Sequence, residues 1–267
     1  MKVVFQIALG IIAAIGGFLD IGDLVFNTQA GALFGYDLLW AVPVGVLGIG
    51  VYAEMSGRVA AVSGRPVFDT IRTRLGLPAG IVALVASLFV NLLTLAAEVG
   101  GMAIILQLAF DAPFELFALL SAIGLSIVIW FLPFEGLERI FGYLGLCLFV
   151  FVAVALHENP DWGKIAGGFV PEASHSTALY WYFAVGVMSA ALMPYEVYFY
   201  SSGAVEEEWS PKDIGLNRAN AIIGYGLGGT LSIALMIVGG ALFLPHGISP
   251  EHLGTIALGA QDPLGQI

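Results

Sequence analysis

The sequence has 267 residues, of which 59% are hydrophobic and 11% are charged, and its mean hydropathy is +0.93. Soluble domains have about a quarter of their residues charged, so this composition excludes an ordinary soluble globular domain and indicates a chain that lies mostly in lipid. The net charge of −11 argues against nucleic acid as a partner and favours a protein that handles cations.

Apolar runs separated by charged or turn residues predict seven membrane spans in an all-α, polytopic protein. In chain order these spans are Val3–Phe34 (interrupted), Leu38–Met55, Ala79–Phe110, Leu116–Leu132, Ile140–Leu156, Ala178–Ser201 (interrupted) and Leu216–Leu244. The third span is too long for an upright helix, so we expect it to tilt or to extend beyond the bilayer. The segment from Pro66 to Leu75 is predicted to be an amphipathic helix or an extension of the second span.

The distribution of Lys and Arg predicts the orientation of the chain. If the N-terminus is cytoplasmic, every Lys and Arg except Lys164 falls on the cytoplasmic side. This excess of cytoplasmic positive charge is the bias that orients membrane proteins. We therefore expect an integral, multi-pass protein of a bacterial or archaeal inner membrane, with the N-terminus in the cytoplasm.

The first span contains two aspartates, Asp20 and Asp23, deep within an apolar stretch. A carboxylate at this depth costs several kcal/mol unless it is partnered, so such residues usually serve a function. Gly22 lies between them and is predicted to let the backbone leave the helix there. Two aspartates on either side of a break, together with freed carbonyl oxygens, predict a cation site.

The sixth span has a second predicted break, at Pro194. Proline removes a backbone donor and clashes with the preceding turn, which frees carbonyls near Ala190. Met193 brings a thioether to this break, and Glu196 brings a further intramembrane carboxylate. We expect these groups to face the aspartates of the first span, although Met193 in an apolar helix also has a simple packing interpretation.

Interrupted spans at positions one and six are typical of transporters that are built from inverted repeats, with a substrate site near the middle of the membrane. We treat the chain as one transmembrane domain, with residues 1–157 as a five-helix repeat and residues 176–267 as part of a second repeat. Only two helices of that second repeat are predicted. The sequence is therefore expected to be truncated at its C-terminal end.

Three motifs resemble those of a known family. The stretch G-F-L-D-I-G-D-L-V-F-N-T-Q-A-G-A-L-F-G-Y-D-L-L-W, from Gly17 to Trp40, resembles the first helix of the natural-resistance-associated macrophage protein family, which has D-P-G-N, Q-A-G and F-G-Y-x-L-L-W there. The segment M-P-Y-E, from Met193 to Glu196, is similar to the family's M-P-H, and A-E-V-G-G, from Ala97 to Gly101, is similar to its A-E-[VI]-x-G. The resemblance implies a LeuT-type fold with broken helices one and six, and proton-coupled transport of manganese or iron.

The resemblance also implies roles for single residues. Asp20 matches the metal-binding aspartate, Met193 the metal-binding methionine, and Ala190 the residue whose carbonyl binds the metal. Glu98 matches a glutamate associated with proton movement, and Gln29 is in register with the glutamine of Q-A-G.

Departures from the family pattern predict a variant site. Asp23 stands where the family has a coordinating asparagine, and Glu196 adds a further acid. Ile21 replaces the proline of D-P-G-N, so the first break is expected to be milder. Tyr195 replaces a histidine and Leu95 an aspartate, which removes two elements of the usual proton route.

The function predicted from these residues is secondary transport of a divalent metal cation, manganese-like or iron-like, by alternating access without assured proton coupling. A thioether favours transition metals, whereas an all-carboxylate set suits magnesium, which stays open as an alternative. An organic-solute symporter on the same fold and a non-transporting metal sensor are further alternatives. We expect no enzymatic activity and no cofactor beyond the metal substrate. The expected partners are that metal and the lipid bilayer, without nucleic acid, and the oligomeric state is not predicted.

Overall fold

The computed structural model describes residues 20–110, 113–133, 136, 140, 143–171 and 177–248, and every regular element in these ranges is helical. The α-helices are α1 (Ile21–Phe34), α2 (Ala41–Ser63), α3 (Val67–Leu75), α4 (Leu77–Phe110), α5 (Phe114–Phe131), α6 (Val150–His157), α7 (Trp162–Gly168), α8 (Ala178–Ala190), α9 (Pro194–Glu206) and α10 (Ile214–Val238). A π-helical segment, Gly239–Phe243, continues α10, and short 3-10 helices are found at Cys147–Phe149, Pro211–Asp213 and Leu244–His246.

Several described helices are long and apolar enough to cross a membrane. Within the described residues these are Leu77–Phe110, Phe114–Phe131, Ala178–Glu206 and Pro211–His246. A fifth span is present if Tyr143–His157 and Trp162–Gly168 are counted together, although the two helices are bent by 120° where they meet. The part of the first predicted span before Asp20 lies outside the described ranges, and its remainder forms α1. The second corresponds to α2, a 23-residue helix whose later half is less apolar because it carries Glu54 and Arg58. The predicted polytopic helical membrane protein is confirmed.

Helix α10 lies at the centre of the bundle, whereas α4 and α5 lie at its edge. In the apolar window of the α10 segment 67% of residues are buried within the protein, against 6% for α4 and for α5. The buried side chains of α10, such as Leu231, Leu235 and Met236, pack against α1, α2 and α6. Helices whose apolar side chains stay exposed in the isolated protein are expected to face lipid.

Glycines allow α1 and α10 to cross at backbone contact. A Cβ atom on Gly31 would overlap the Met236 carbonyl, and one on Gly239 would overlap the Thr28 carbonyl. Small residues serve this purpose in membrane helices, because close approach maximises van der Waals packing where no hydrophobic driving force is available. The crossing fixes the position of α1 along α10, and with it the position of the aspartates at the start of α1.

Polar contacts hold together the end of the bundle that carries most of the arginines. Glu54 on α2 pairs with Arg58 at 2.5 Å and with Arg218 on α10 at 3.7 Å. The buried Asn217 donates its side-chain N–H to the Glu54 carbonyl at 2.9 Å. The predicted amphipathic helix is confirmed as α3, whose first N–H, from Val67, donates to the Ser201 hydroxyl at 3.3 Å.

Candidate functional site: two helix breaks lined with carboxylates

Helix α1 begins at the position of the first predicted break, with Asp20 as its N-cap. The Asp20 backbone is extended, with φ −102° and ψ 176°, and the Asp20 carboxylate accepts the Asp23 N–H at 2.7 Å. Asp20 is 7% exposed and Asp23 only 1%. The prediction that the two aspartates lie on either side of a break at Gly22 is wrong: Gly22 is helical, because the Asp20 side chain caps the helix ahead of it. Both carboxylates therefore sit at one helix N-terminus.

Glu98 on α4 completes this N-terminus. Its Oε1 atom accepts the backbone N–H of Ile21 at 2.8 Å. The first N–H groups of a helix have no partner within the helix, and the helix dipole favours a negative charge there. The structure thus brings the residue predicted for an ion pathway into contact with the first break. Leu95, one turn earlier on α4, is an exposed apolar residue.

The second break separates α8 from α9, as predicted. Helix α8 ends at Ala190, α9 begins at Pro194, and Met193 between them is extended, with φ −78° and ψ 130°. In a continuous helix the N–H of residue 194 would donate to the carbonyl of Ala190, but proline has no N–H. The Ala190 carbonyl therefore lacks its usual helical donor and is an available oxygen ligand.

Glu196 and Tyr195 lie in the first turn of α9, next to the second break. Glu196 is 5% exposed, and its Oε2 atom has no hydrogen-bond partner among the described residues. Tyr195 is half-buried. The first turns of α1 and α9 thus both carry buried carboxylates, and the expectation that these face each other stays a prediction.

Met193 and Gln29 are the two remaining residues that the sequence predicts for the site. Met193 is half-buried and lines an apolar cavity of about 280 Å³ with residues of α2, α3 and α9, such as Ile49 and Val197. Gln29 is nine residues after Asp20, which at 100° per residue puts it on the opposite face of the α1 axis. The roles of Met193 as a ligand and of Gln29 as a site-lining residue stay predictions.

Two site residues were missed by the sequence analysis. Asn27 donates its side-chain N–H to Asp23 Oδ1 at 2.6 Å, and Ser232 on α10 donates its hydroxyl to Asp23 Oδ2 at 3.5 Å. Asn27 could have been found, because a residue four positions after Asp23 lies on the same helix face. Ser232 gave no such signal, since only the tertiary fold brings α10 to Asp23.

In the described part of the chain, no three His, Cys, Asp or Glu side chains are arranged to hold a metal by themselves. A metal at this site therefore also needs carbonyl, amide, hydroxyl or thioether ligands.

A wide cavity of about 660 Å³ lies at the opposite end of α1. Its lining includes three acids, Asp37, Glu158 and Asp161, and one base, Lys164. Phe34, the last residue of α1, also lines it. This cavity is therefore an acidic mouth separated from Asp20 by the length of α1, which is about 20 Å for 14 residues at 1.5 Å per residue.

Comparison with known proteins agrees with this architecture. The structure is similar to solved structures of the Eremococcus coleocola manganese transporter: one has a TM-score of 0.73, 22% identity and coverage of 88% of this chain and 51% of that chain. Another, in complex with an aromatic bis-isothiourea substituted compound, has a TM-score of 0.75 at 19% identity and covers 96% of this chain and 61% of that chain. These likenesses establish the fold.

Two curated relatives are similar in sequence over most of the chain. Both are called divalent metal cation transporter MntH: that of Staphylococcus haemolyticus is 26% identical over 97% of this chain and 61% of its own, and that of Deinococcus radiodurans is 27% identical over 94% and 58%. The chain thus spans about 60% of the length of these relatives. The family model for natural resistance-associated macrophage protein-like proteins matches residues 10–266. The chain therefore belongs to the natural resistance-associated macrophage protein-like family.

Proposed function

We propose that the protein is a secondary transporter of divalent metal cations, in which the breaks before α1 and between α8 and α9 enclose the metal. The observation that carries the proposal is the group of buried carboxylates, Asp20, Asp23 and Glu196, at these breaks. In the described residues none of the three pairs with a Lys or Arg side chain. Buried carboxylates without a basic partner are stable only when a cation binds them or when they are protonated, and a group of three such acids favours a cation.

The ligands that we propose combine hard and soft atoms. Asp20, Asp23 and Glu196 supply carboxylate oxygens, Ala190 supplies a carbonyl oxygen, and Met193 supplies a thioether. Soft sulfur favours manganese or iron over magnesium, which accepts little besides oxygen. Magnesium stays as the second candidate, because Met193 borders an apolar cavity and the remaining ligands are all oxygen.

Manganese uptake by Asp20→Asn in proteoliposomes tests the site. Asparagine keeps an oxygen that can cap α1, so the variant removes the charge and leaves the helix start intact. We expect uptake to fall at least tenfold. Asp161→Asn is the matched control, because Asp161 also caps a helix, that of α7, but is exposed and lies far from the breaks. Uptake that is equal in the two variants would contradict the assignment.

The choice of metal is tested by Met193→Leu, which replaces the sulfur and nearly conserves the volume. We expect manganese and cadmium uptake to weaken far more than magnesium uptake. Met188→Leu, at a half-buried packing position on α8, is the control. An equal loss for all three ions would mean that Met193 only packs, and magnesium would become the better candidate substrate.

We further propose an inner-membrane location with the N-terminus in the cytoplasm. The support is charge: Arg58 and Arg218 meet at Glu54 at one end of the bundle, whereas Lys164 lines the acidic mouth near the other end of α1. The test uses two variants in a Cys147→Ser background, Arg65→Cys and Lys164→Cys, both at exposed positions. When a membrane-impermeant maleimide is added to intact cells, we expect it to label Lys164→Cys and not Arg65→Cys. Labelling at position 65 alone would reverse the orientation.

A further inference from the structure

The segment around α3, here called the α3 corner (residues 65–81), is positively charged in an otherwise acidic protein. It contains a single acid, Asp69, and three arginines, Arg65, Arg72 and Arg74, so its net charge is +2, whereas the whole chain has a net charge of −11. Charge of this sign on one short segment indicates an anionic partner.

The arginines of the α3 corner are poorly neutralised by the protein itself. Arg65 and Arg74 are exposed and form no ion pair with a described residue. Arg72 pairs with Asp69, one turn before it, at 3.4 Å, and these side chains are 54% and 44% exposed. An exposed ion pair of this kind is worth less than about 1 kcal/mol, so it leaves the Arg72 guanidinium able to bind a second anion.

The α3 corner lies where α4 begins to cross the membrane. A single residue, Gly76, joins α3 to α4, and its φ of +87° is a conformation that glycine adopts readily. The aliphatic part of Arg72 packs on the first turn of α4, because a Cβ atom on Gly80 would be 3.2 Å from Arg72 Cβ and 3.4 Å from Arg72 Cγ. The apolar span of α4 starts at Leu77. Arg72 is therefore held at the end of a membrane-spanning helix, where lipid headgroups lie.

Exposed apolar side chains accompany this charge. Leu75, Leu77 and Ile81 are each at least 50% exposed. At the end of a membrane span such side chains contact acyl chains, while arginine side chains extend to the headgroups. The planar guanidinium group can donate two hydrogen bonds to one phosphate. A phospholipid thus matches both parts of the surface, its phosphate the arginines and its acyl chains the leucines.

The other side of α3 packs on protein. Val67 and Ile71 line the apolar cavity that Met193 borders, and the Phe68 ring meets the Tyr198 ring of α9 edge to face, with 6.3 Å between centroids. A molecule bound to the arginines therefore need not displace α9. Its binding should stabilise the packing of α3 on the bundle, which makes thermal unfolding a suitable measurement.

We propose that the α3 corner binds a phospholipid with an anionic headgroup, through the guanidinium groups of Arg72 and Arg74 and the exposed side chains of Leu75 and Leu77. The headgroup carries a net negative charge because a zwitterionic headgroup brings its own cation next to the phosphate, whereas the corner already has an excess of positive charge. The inference goes beyond metal transport, since it assigns the protein a specific lipid partner.

The test is thermal unfolding of the purified protein in a neutral detergent, followed by tryptophan fluorescence, with added phosphatidylglycerol or with phosphatidylcholine of the same acyl chains. We expect only phosphatidylglycerol to raise the melting temperature saturably. The double variant Arg72→Gln/Arg74→Gln should need at least about tenfold more phosphatidylglycerol for half of the effect, because each arginine near a membrane surface contributes about fivefold. Lys164→Gln, which removes an exposed positive charge at the acidic mouth, is the control and should behave as the wild type.

Four results would overturn the proposal. They are equal stabilisation by the two lipids, an unchanged lipid requirement in the double variant, an equal loss in Lys164→Gln, and equal stabilisation by soluble glycerol phosphate. The third would assign the effect to net charge alone, and the fourth would make the corner a site for free anions. None of these measurements uses a divalent metal, so the proposal can fail while the proposed transport function, tested by manganese uptake, stands.

Discussion

Gly239→Ala is expected to destabilise the protein by driving α1 away from α10. A Cβ atom on Gly239 would overlap the Thr28 carbonyl oxygen and would lie 3.0 Å from the Thr28 carbonyl carbon and 3.1 Å from the Ala32 nitrogen. All of these are backbone atoms, so no side-chain rotation relieves the overlap. Overpacking of a tight core costs about 1–3 kcal/mol, and the upper end applies here. The higher helix propensity of alanine offsets about 0.5–1 kcal/mol of this loss in the free energy of unfolding.

The expected net loss is therefore about 2 kcal/mol, which for a protein of this size lowers the melting temperature by about 4–8 °C. Tryptophan fluorescence during thermal unfolding in detergent measures it. Gly226→Ala is the matched control on the same helix, because a Cβ atom there meets nothing within 4 Å. Equal melting temperatures for the two variants would refute the claim that backbone contact at Gly239 positions α1.

Three further predictions concern other parts of the bundle. Pro194→Ala restores the missing backbone donor, so α8 and α9 should partly join and manganese uptake should fall at least tenfold while the protein stays folded by circular dichroism. Tyr180→Phe should cost about 1–3 kcal/mol in thermal unfolding, because the Trp40 indole N–H, which donates to the Tyr180 hydroxyl at 2.9 Å, loses its acceptor. Asn217→Ala should lower the free energy of unfolding more than Arg218→Ala. The asparagine donates a hydrogen bond to a carbonyl of α2, whereas the arginine forms an exposed ion pair worth less than about 1 kcal/mol. Equal effects of the two substitutions in urea unfolding would contradict this ranking.

The parts of the site that sequence reasoning predicted are those with a local cause. Pro194 interrupts a helix wherever it stands in an apolar span, and the break between α8 and α9 followed from that residue alone. The acids of α1 were conspicuous because an apolar stretch rarely contains them. The first break is misplaced for an equally local reason: a glycine between two acids predicts a break at Gly22, whereas the Asp20 side chain caps the helix that contains Gly22.

The contacts that only the fold creates were not predictable. Ser232 is an ordinary polar residue in α10 until glycines let α1 approach closely enough for its hydroxyl to reach Asp23. Likewise, the motif around Glu98 indicated an ion pathway but not that its carboxylate would accept the Ile21 N–H. Distances across helices depend on packing, which a single sequence does not encode in any local pattern.

The two helix breaks differ in what maintains them. The opening at Ala190 results from a covalent fact, the missing N–H of Pro194, so its carbonyl lacks that donor in every conformation of the protein. The start of α1 is instead held by two exchangeable side-chain bonds, from Asp20 to the Asp23 N–H and from Glu98 to the Ile21 N–H. Loss of the Glu98 bond would leave the first N–H of α1 without its partner, whereas the start of α9 would not change. One of these helix starts is therefore fixed by covalent structure, and the other depends on the positions of side chains on α1 and α4.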